Sequence, residues 1–262
     1  MKCSVCSNTV EYLFDAKLLD KYDVKYFLCR NCCHIQTEKA YWLDEAYLNS
    51  ITDNDAGIMG RNIDFANRVS PILWRGFGKN STYLDWAGGY GIFVRLMRDI
   101  GFDFYWSDLY SDNLFAKGVE FNYSDSVELI TCFEVFEHLE NPIEQIEKLL
   151  ALSDNILIST ELFDSKNIPQ LNQWYYYGPG HGQHISFFSI ETLRYIASKY
   201  DLNLISNDFN LHLLSKQKIK HKMSIKFFLK AHRLLLLPFS EYVKIKMKPK
   251  TLLILNYLLN KG

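Results

Sequence analysis

Several things are missing from this 262-residue chain, and each absence narrows what it can be. No apolar run approaches the roughly eighteen residues that a membrane-spanning helix needs. The opening MKCSVCSNTV lacks the apolar stretch of a secretory signal, so a cytoplasmic address is expected. Cysteine is scarce, with six in all; in a reducing compartment these are thiols or metal ligands rather than disulfides. Internal repeats and low-complexity linkers are absent. So are two phosphate-cradling patterns, G-x-G-x-x-G and GxxxxGK[ST]. The net charge of −1 hides one more shortage: from Lys216 to Gly262 there are eleven lysines and one arginine but one acid, Glu241. An acidic body therefore carries a basic tail, which is expected to meet something anionic, in another molecule or in the body itself.

What is present falls into four pieces. Residues 1–38 hold five of the cysteines and show little helical periodicity. Residues 39–80 read as a helical connector, with DEAYLNSI and MGRNIDFANRVSPILW as its helices. From 81 to 215 strands and helices alternate, which predicts an α/β core with a mostly parallel sheet covered on both faces. TYLDWA, FDFYWSD, VELITCF and NILIST are its strands, and LNLISN and FNLHLL close it as an antiparallel pair. IFVRLMRDI is a helix stopped by Gly101, NPIEQIEKLLAL one opened by Pro142, and SIETLRYIASKY one that Ser189 caps. Residues 216–262 form the basic tail.

The segment YLDWAGGYGIFVRLMRD (83–99) is a strand, three glycines within four residues, and a helix. Such a turn brings backbone close to a ligand, and the free N–H groups of the helix start favour a carboxylate or another anion. Asp108 ends the next strand 17 residues after Gly91, where a carboxylate can hold a ribose diol. The glycines run G-G-x-G, with Val94 three places after Gly91, which disfavours a nicotinamide dinucleotide. A ligand with a ribose, an adenine and a small carboxylate fits better.

YLDWAGGYG resembles motif I of class I S-adenosylmethionine-dependent methyltransferases. Asp85, Gly89 and Gly91 match that motif, and Ala87 stands where a first glycine is usual. Asp108 matches the family's acid after strand two, and VELITCFEVFEHLENP its strand-four region. The resemblance implies a Rossmann-like class I methyltransferase core whose last strand is antiparallel. It also implies S-adenosylmethionine as cofactor, with Asp85, Ala87, Gly89 and Gly91 at its methionyl end, Asp108 at the ribose, and Phe133 and Glu134 bordering the site. For Glu137 and His138 the expectation is ordinary hydrogen bonding at a helix end.

Cys3 and Cys6 form one C-x-x-C, and Cys29 and Cys32 another, with 22 residues between them. Two such knuckles can close a tetrahedral zinc site that holds a small module together. Cys33 is a substitute ligand and His34 a further candidate, while Cys132 reads as a packing residue. A knuckle pair ahead of a class I core resembles sugar C-methyltransferases and related enzymes of surface-polysaccharide pathways. GQHISFFS resembles their Glu-His-Phe-Ser-Tyr-Phe-Ser segment, which puts His184 on the proposed catalytic histidine and His181 on a tyrosine three residues earlier. Gln183 replaces the usual acid, and the large third domain of those enzymes has no counterpart here. His184 is thus open as a base or as an orienter of loop and substrate. A sugar or polysaccharide-precursor acceptor is expected, with another small molecule, or a non-catalytic scaffold, as alternatives. Trp174, Tyr175, Tyr176 and Tyr177 form either a substrate wall or packing under a long loop.

In the tail, Lys222, Lys226, Lys230 and Arg233 share one helical face and Ile225, Phe228, Leu229, Leu235 and Leu236 another. Such a helix can lie on an anionic membrane at the inner face, or dock on the core with its lysines in water. Nucleic acid is disfavoured, because no reading motif accompanies the charge. The oligomeric state is not encoded in any pattern of the chain.

Overall fold

The structure, a computed structural model, describes residues 1–47, 57–78, 80–123, 125–217, 222–230, 242–243 and 246. Its strands are β1 (Glu11–Leu18), β2 (Tyr22–Cys29), β3 (His34–Thr37), β4 (Thr82–Trp86), β5 (Asp103–Ser107), β6 (Leu129–Phe133), β7 (Asn155–Ser159), β8 (Leu162–Phe163), β9 (Ser186–Ser189), β10 (Asn203–Ser206) and β11 (Leu211–Ser215). Its helices are α1 (Leu43–Ala46), α2 (Ile58–Gly76), α3 (Ile92–Ile100), α4 (Pro142–Leu152), α5 (Ile190–Lys199) and α6 (Lys222–Lys230).

The main sheet runs β10-β11-β7-β6-β4-β5. Its β5, β4, β6 and β7 are mutually parallel, and β11 lies antiparallel to both β7 and β10. This is the expected α/β methyltransferase fold. Because successive strand residues point to opposite faces, each strand feeds two cores. Tyr83, Leu129, Leu157 and Leu213 meet α2, α3 and α6; Leu84, Ile130, Ile156 and Leu214 meet α4 and α5.

The helix ends follow their sequence cues. Gly101 caps α3 at φ +120°, a left-handed conformation that glycine takes without a Cβ clash. Pro142 opens α4. Ser189 caps α5, its Oγ accepting from the Thr192 N–H. Arg98 is the exception on the buried face of α3. Its guanidinium is paired there, reaching Asp103 at 2.8 Å and the Phe104 carbonyl at 2.7 Å.

The first 38 residues, read as poor in helix, are a β-hairpin extended by a third strand. β1 pairs with β2 and β2 with β3, all antiparallel. The sheet does not end there. β9, which lies inside the 81–215 span, pairs with β3 through Ile35–Phe187 and Gln36–Ser186, and β8 joins β9. The N-terminal module and the segment after β7 thus share one sheet and one core, in which Tyr26, Leu28 and Ile35 pack on Tyr176, Tyr177 and Phe187.

Of the tail, α6 is described. Its Ile225, Phe228 and Leu229 are buried in the core beside α2, so the apolar face of this segment is docked on the protein. Arg233, Leu235 and Leu236 lie outside the described residues. Among the described residues no helix is long and apolar enough to cross a membrane.

Candidate functional site

The last residue but one of β4 is a buried Asp85 whose Oδ1 accepts a 2.6 Å hydrogen bond from the Thr131 hydroxyl on β6. Burial pushes the Asp85 carboxyl up to about 7; the Thr131 bond opposes the shift and nearby Asp108 adds to it. Beyond Asp85 the chain turns through three left-handed residues, Ala87 (φ +56°), Gly89 (φ +53°) and Gly91 (φ +81°). Gly91 is the N-cap of α3, whose start has no side-chain cap. A Cβ on Gly89 would meet nothing within 4 Å, so the outer side of the turn is open.

Asp108 follows β5 and is tied down by backbone. Its Oδ2 accepts from Gly89 N–H at 2.9 Å, and its Oδ1 from Tyr110 and Ser111 N–H at 2.7 and 2.9 Å. Trp106 Nε1 donates to the Gly89 carbonyl at 2.8 Å, closing the link between turn and strand. A carboxylate offers about four acceptor sites, so one on Asp108 stays available for a hydroxyl.

Ala87 carries strain at the position where a glycine is usual. A left-handed alanine costs roughly 1–2 kcal/mol, and a glycine returns about 0.5–1 of that through unfolded-state entropy. Ala87→Gly is therefore expected to stabilise the protein by about 0.5–1 kcal/mol in thermal or denaturant unfolding. A neutral or destabilising result would mean that the methyl group packs well enough to offset the strain.

β6 ends at Phe133, whose ring stacks on Phe65 of α2 at 4.3 Å and meets Phe93 of α3 edge-on at 5.1 Å. It is thus a wall of the core as much as a border of the turn. Glu134 sits at φ +54°, with its Oε1 accepting from the Ser159 hydroxyl at 2.6 Å and its N–H donating to the same oxygen at 2.8 Å.

A 3-10 turn, Phe136–His138, then brings up two residues that the sequence left as helix-end groups. Glu137 is fully buried; Oε1 accepts from Tyr176 at 2.6 Å, and Oε2 has no hydrogen-bond partner. Burial, with Glu134 nearby, pushes its carboxyl up to about 8. His138 Nδ1 lies 3.1 Å from the Gln183 carbonyl and 2.9 Å from the Tyr47 hydroxyl. His184 Nδ1 donates to the Tyr176 carbonyl at 2.6 Å. The His184 ring stands between those of His138, 4.9 Å away, and His181, 4.7 Å away. Burial holds His138 down to about 4, and holds His184 well below the usual imidazole range with help from His138. Both rings are therefore neutral at physiological pH.

The residues expected to act around His184 fall into different roles. His181 Nδ1 accepts from Gln183 N–H at 3.1 Å, and its ring packs on Gly178. Gln183, in place of an acid, is buried and donates to the Ala46 carbonyl at 2.8 Å, which makes it a structural tie. Tyr176 and Tyr177 are buried packing, whereas Tyr175 is exposed and Trp174 half-buried. Trp174 Nε1 and the Tyr175 hydroxyl both donate to the Glu161 carboxylate, the former at 2.7 Å. Glu161 and Thr131 carried no mark in the sequence; Thr131 is placed by the middle of β6 and Glu161 by the link between β7 and β8, rather than by a motif.

The four cysteine sulfurs of the N-terminal module converge. Cys3 and Cys32 are 3.6 Å apart, Cys6 and Cys29 3.3 Å, and all four lie within 4.8 Å of one another. Tetrahedral zinc at Zn–S distances of about 2.3 Å needs sulfurs roughly 3.8 Å apart, so the cluster has the right size and donor set. Cys33 and His34 are outside it. Cys33 presents its carbonyl to the Ser189 and Thr192 hydroxyls, and His34 Nε2 contacts those of Ser4 and Ser186. Cys132 is buried in β6, as expected of packing.

A parallel α/β sheet with a glycine turn after one strand and an acid after its neighbour defines a nucleoside-binding enzyme of the class I methyltransferase type. The family profile described as "Methyltransferase domain" matches residues 58–207. The chain belongs to that family, and it is an S-adenosylmethionine-dependent methyltransferase. No curated protein matches it. Among solved structures it is similar to the plantazolicin methyltransferase BpumL in complex with SAH, at 15% identity over 66% of this chain and 91% of that one (TM-score 0.47). It is also similar to an O-methyltransferase family 2 protein from Planctomyces limnophilus in complex with apigenin, at 18% identity over 67% and 65% of the two chains (TM-score 0.44). Human N-acetylserotonin methyltransferase in complex with SAM is similar at 12% identity over 68% and 66% (TM-score 0.42).

Proposed function

We propose that the chain transfers a methyl group to a sugar or polysaccharide-precursor acceptor, bound beside His184, and that zinc on Cys3, Cys6, Cys29 and Cys32 braces the acceptor side. S-adenosylmethionine supplies the electrophilic methyl. Asp85 with the turn 87–91 binds its methionyl end, Asp108 its ribose, and Phe133 and Glu134 flank the site. The observation that carries the cofactor assignment is the grouping of Asp85, Gly89 and Asp108: a buried carboxylate near the end of β4, an open turn after it, and an acid just beyond the adjacent β5 that the turn tethers through the Gly89 N–H. Support for a polyhydroxyl acceptor is the GQHISFFS segment, together with the carboxylate and ring surface of Glu161, Trp174 and Tyr175. His184, with Nδ1 held by a carbonyl and rings on both sides, orients the acceptor. The module 1–38 works as a brace because β3 carries β9, the strand that follows His184.

The pH dependence of cofactor binding tests this. Asp85 is protonated in the free protein below about 7, and a ligand ammonium beside it favours the carboxylate. Affinity for S-adenosylhomocysteine is expected to rise up to tenfold per pH unit towards about 7 and then to level off. Asp85→Asn should bind weakly and without that slope. Calorimetry showing a flat profile in the wild type, or an unaltered variant, would remove Asp85 from the site. Product analysis with labelled methyl donor and candidate nucleotide-sugars tests the acceptor, and transfer to none of them would refute the sugar assignment.

A further inference from the structure

Glu137, His138 and His184 stand together, although 45 residues lie between the two histidines in the chain. One carboxylate oxygen of Glu137 and one ring nitrogen from each histidine lie within 4.8 Å of one another. The hydrogen bonds of these groups are made at Nδ1 of each ring and Oε1 of the carboxyl. The Tyr176 carbonyl takes the Nδ1 proton of His184, and the Gln183 carbonyl faces Nδ1 of His138. A neutral imidazole with its proton on Nδ1 has its lone pair on Nε2. Tyr176 donates to Oε1 of Glu137, and Thr160 adds a weaker contact to that carboxyl, but Oε2 remains buried without a partner. Three groups that can each offer an electron pair thus converge, the Glu137 carboxyl giving up its proton where a cation binds. An unpaired buried carboxylate oxygen is costly and rare in a native structure unless something fills the gap.

We propose that Glu137, His138 and His184 bind one divalent first-row transition-metal cation, with coordination positions left for an oxygen of the acceptor. Two imidazoles and one carboxylate suit Mn²⁺, Fe²⁺ or Zn²⁺ and leave an octahedral ion with open positions. The cation site lies just beyond the carboxyl end of β6, next to Glu134, on the edge of the sheet where the glycine turn opens. Carbonyl bonds to the far nitrogens hold both rings in place, the usual means of orienting ligating histidines. The proposal rests on the acceptor site assigned above. It adds that the acceptor is recognised through an oxygen able to coordinate a metal, such as a diol or a hydroxy acid.

The test uses the full-length protein titrated with Mn²⁺, which thiolates bind poorly, so that the cysteine cluster does not contribute. Free Mn²⁺ is read by electron paramagnetic resonance, and S-adenosylhomocysteine binding is measured on the same samples by calorimetry. The expected result is one Mn²⁺ per chain, with affinity falling at least about tenfold in Glu137→Gln and in His184→Gln. Should Glu137→Gln not fold, His184→Gln, at a half-buried position, decides alone. No Mn²⁺ bound at millimolar concentration, or unchanged binding in the folded variants, overturns the cation site. Loss of S-adenosylhomocysteine binding by the wild type would instead count against the cofactor assignment, so the two failures are told apart.

Discussion

Cys32→Ser is expected to remove about one zinc ion per chain, and to destabilise the protein by at least about 3 kcal/mol. Structural zinc sites release on the order of 10 kcal/mol on binding, against a typical net stability of about 5–15 kcal/mol. The loss should not stop at the knuckles. Cys29 ends β2, and the Cys33 carbonyl ties the module to Ser189, the N-cap of α5, and to Thr192 in its first turn. β3 lies between β2 and β9, so loosening it removes the Ile35–Phe187 and Gln36–Ser186 pairs. Hydrogen exchange should therefore show lost protection in β1–β3 and β9, with β4–β7 retained. Methyl transfer should fall further than S-adenosylhomocysteine binding, because the acceptor side moves and the glycine turn does not. A wild-type protein with far less than one zinc per chain, or a variant with unchanged melting, would refute the brace.

The parts of the fold legible in the sequence are those governed by local rules. α3 shows its 3.6-residue apolar period and its Gly101 stop. β4 and β5 show their two-faced strands, and α5 shows Ser189 as its cap. The turn at 87–91 is legible because only small residues tolerate three left-handed positions in five. The second sheet was hidden. Val24, Tyr26 and Leu28 alternate as a half-buried strand does, but β3 and β9 are four residues each and find one another across some 150 residues. No local pattern encodes that pairing. The surroundings of Glu137 and His138 were hidden for the same reason: in FEHLENP they look like any polar pair at a turn, and only Tyr176 and His184, which precede β9, show what they face. The cysteines lay between these cases. Their spacing predicted the cluster, but not that its sheet would extend into β9 and β8.

Gly89 and Gly91 should respond to the same substitution in opposite ways. A Cβ on Gly91 would come within 2.9 Å of the Ala116 Cβ and the Asn113 Oδ1, and 3.1 Å from the Ala116 nitrogen. Those atoms cannot readily yield. Asn113 bridges the Ala116 N–H and carbonyl at 2.8 Å each, and the N–H groups of Leu114 and Phe115 both donate to the Tyr90 carbonyl. Gly91→Ala thus adds overpacking of about 1–3 kcal/mol to a left-handed cost of about 1–2, for a total near 3 kcal/mol. In a chain of this size that lowers the melting temperature by roughly 6–12 °C. Gly89→Ala incurs only the conformational cost, since its Cβ points into open space. If that space holds the cofactor, the methyl group obstructs it, and S-adenosylhomocysteine affinity should fall at least about tenfold while melting shifts by only a few degrees. Because the Gly89 N–H also orients Asp108, the ribose contact is expected to weaken together with the backbone approach. A Gly89→Ala protein that binds S-adenosylhomocysteine as the wild type does would show that the open side of the turn faces solvent and not the cofactor.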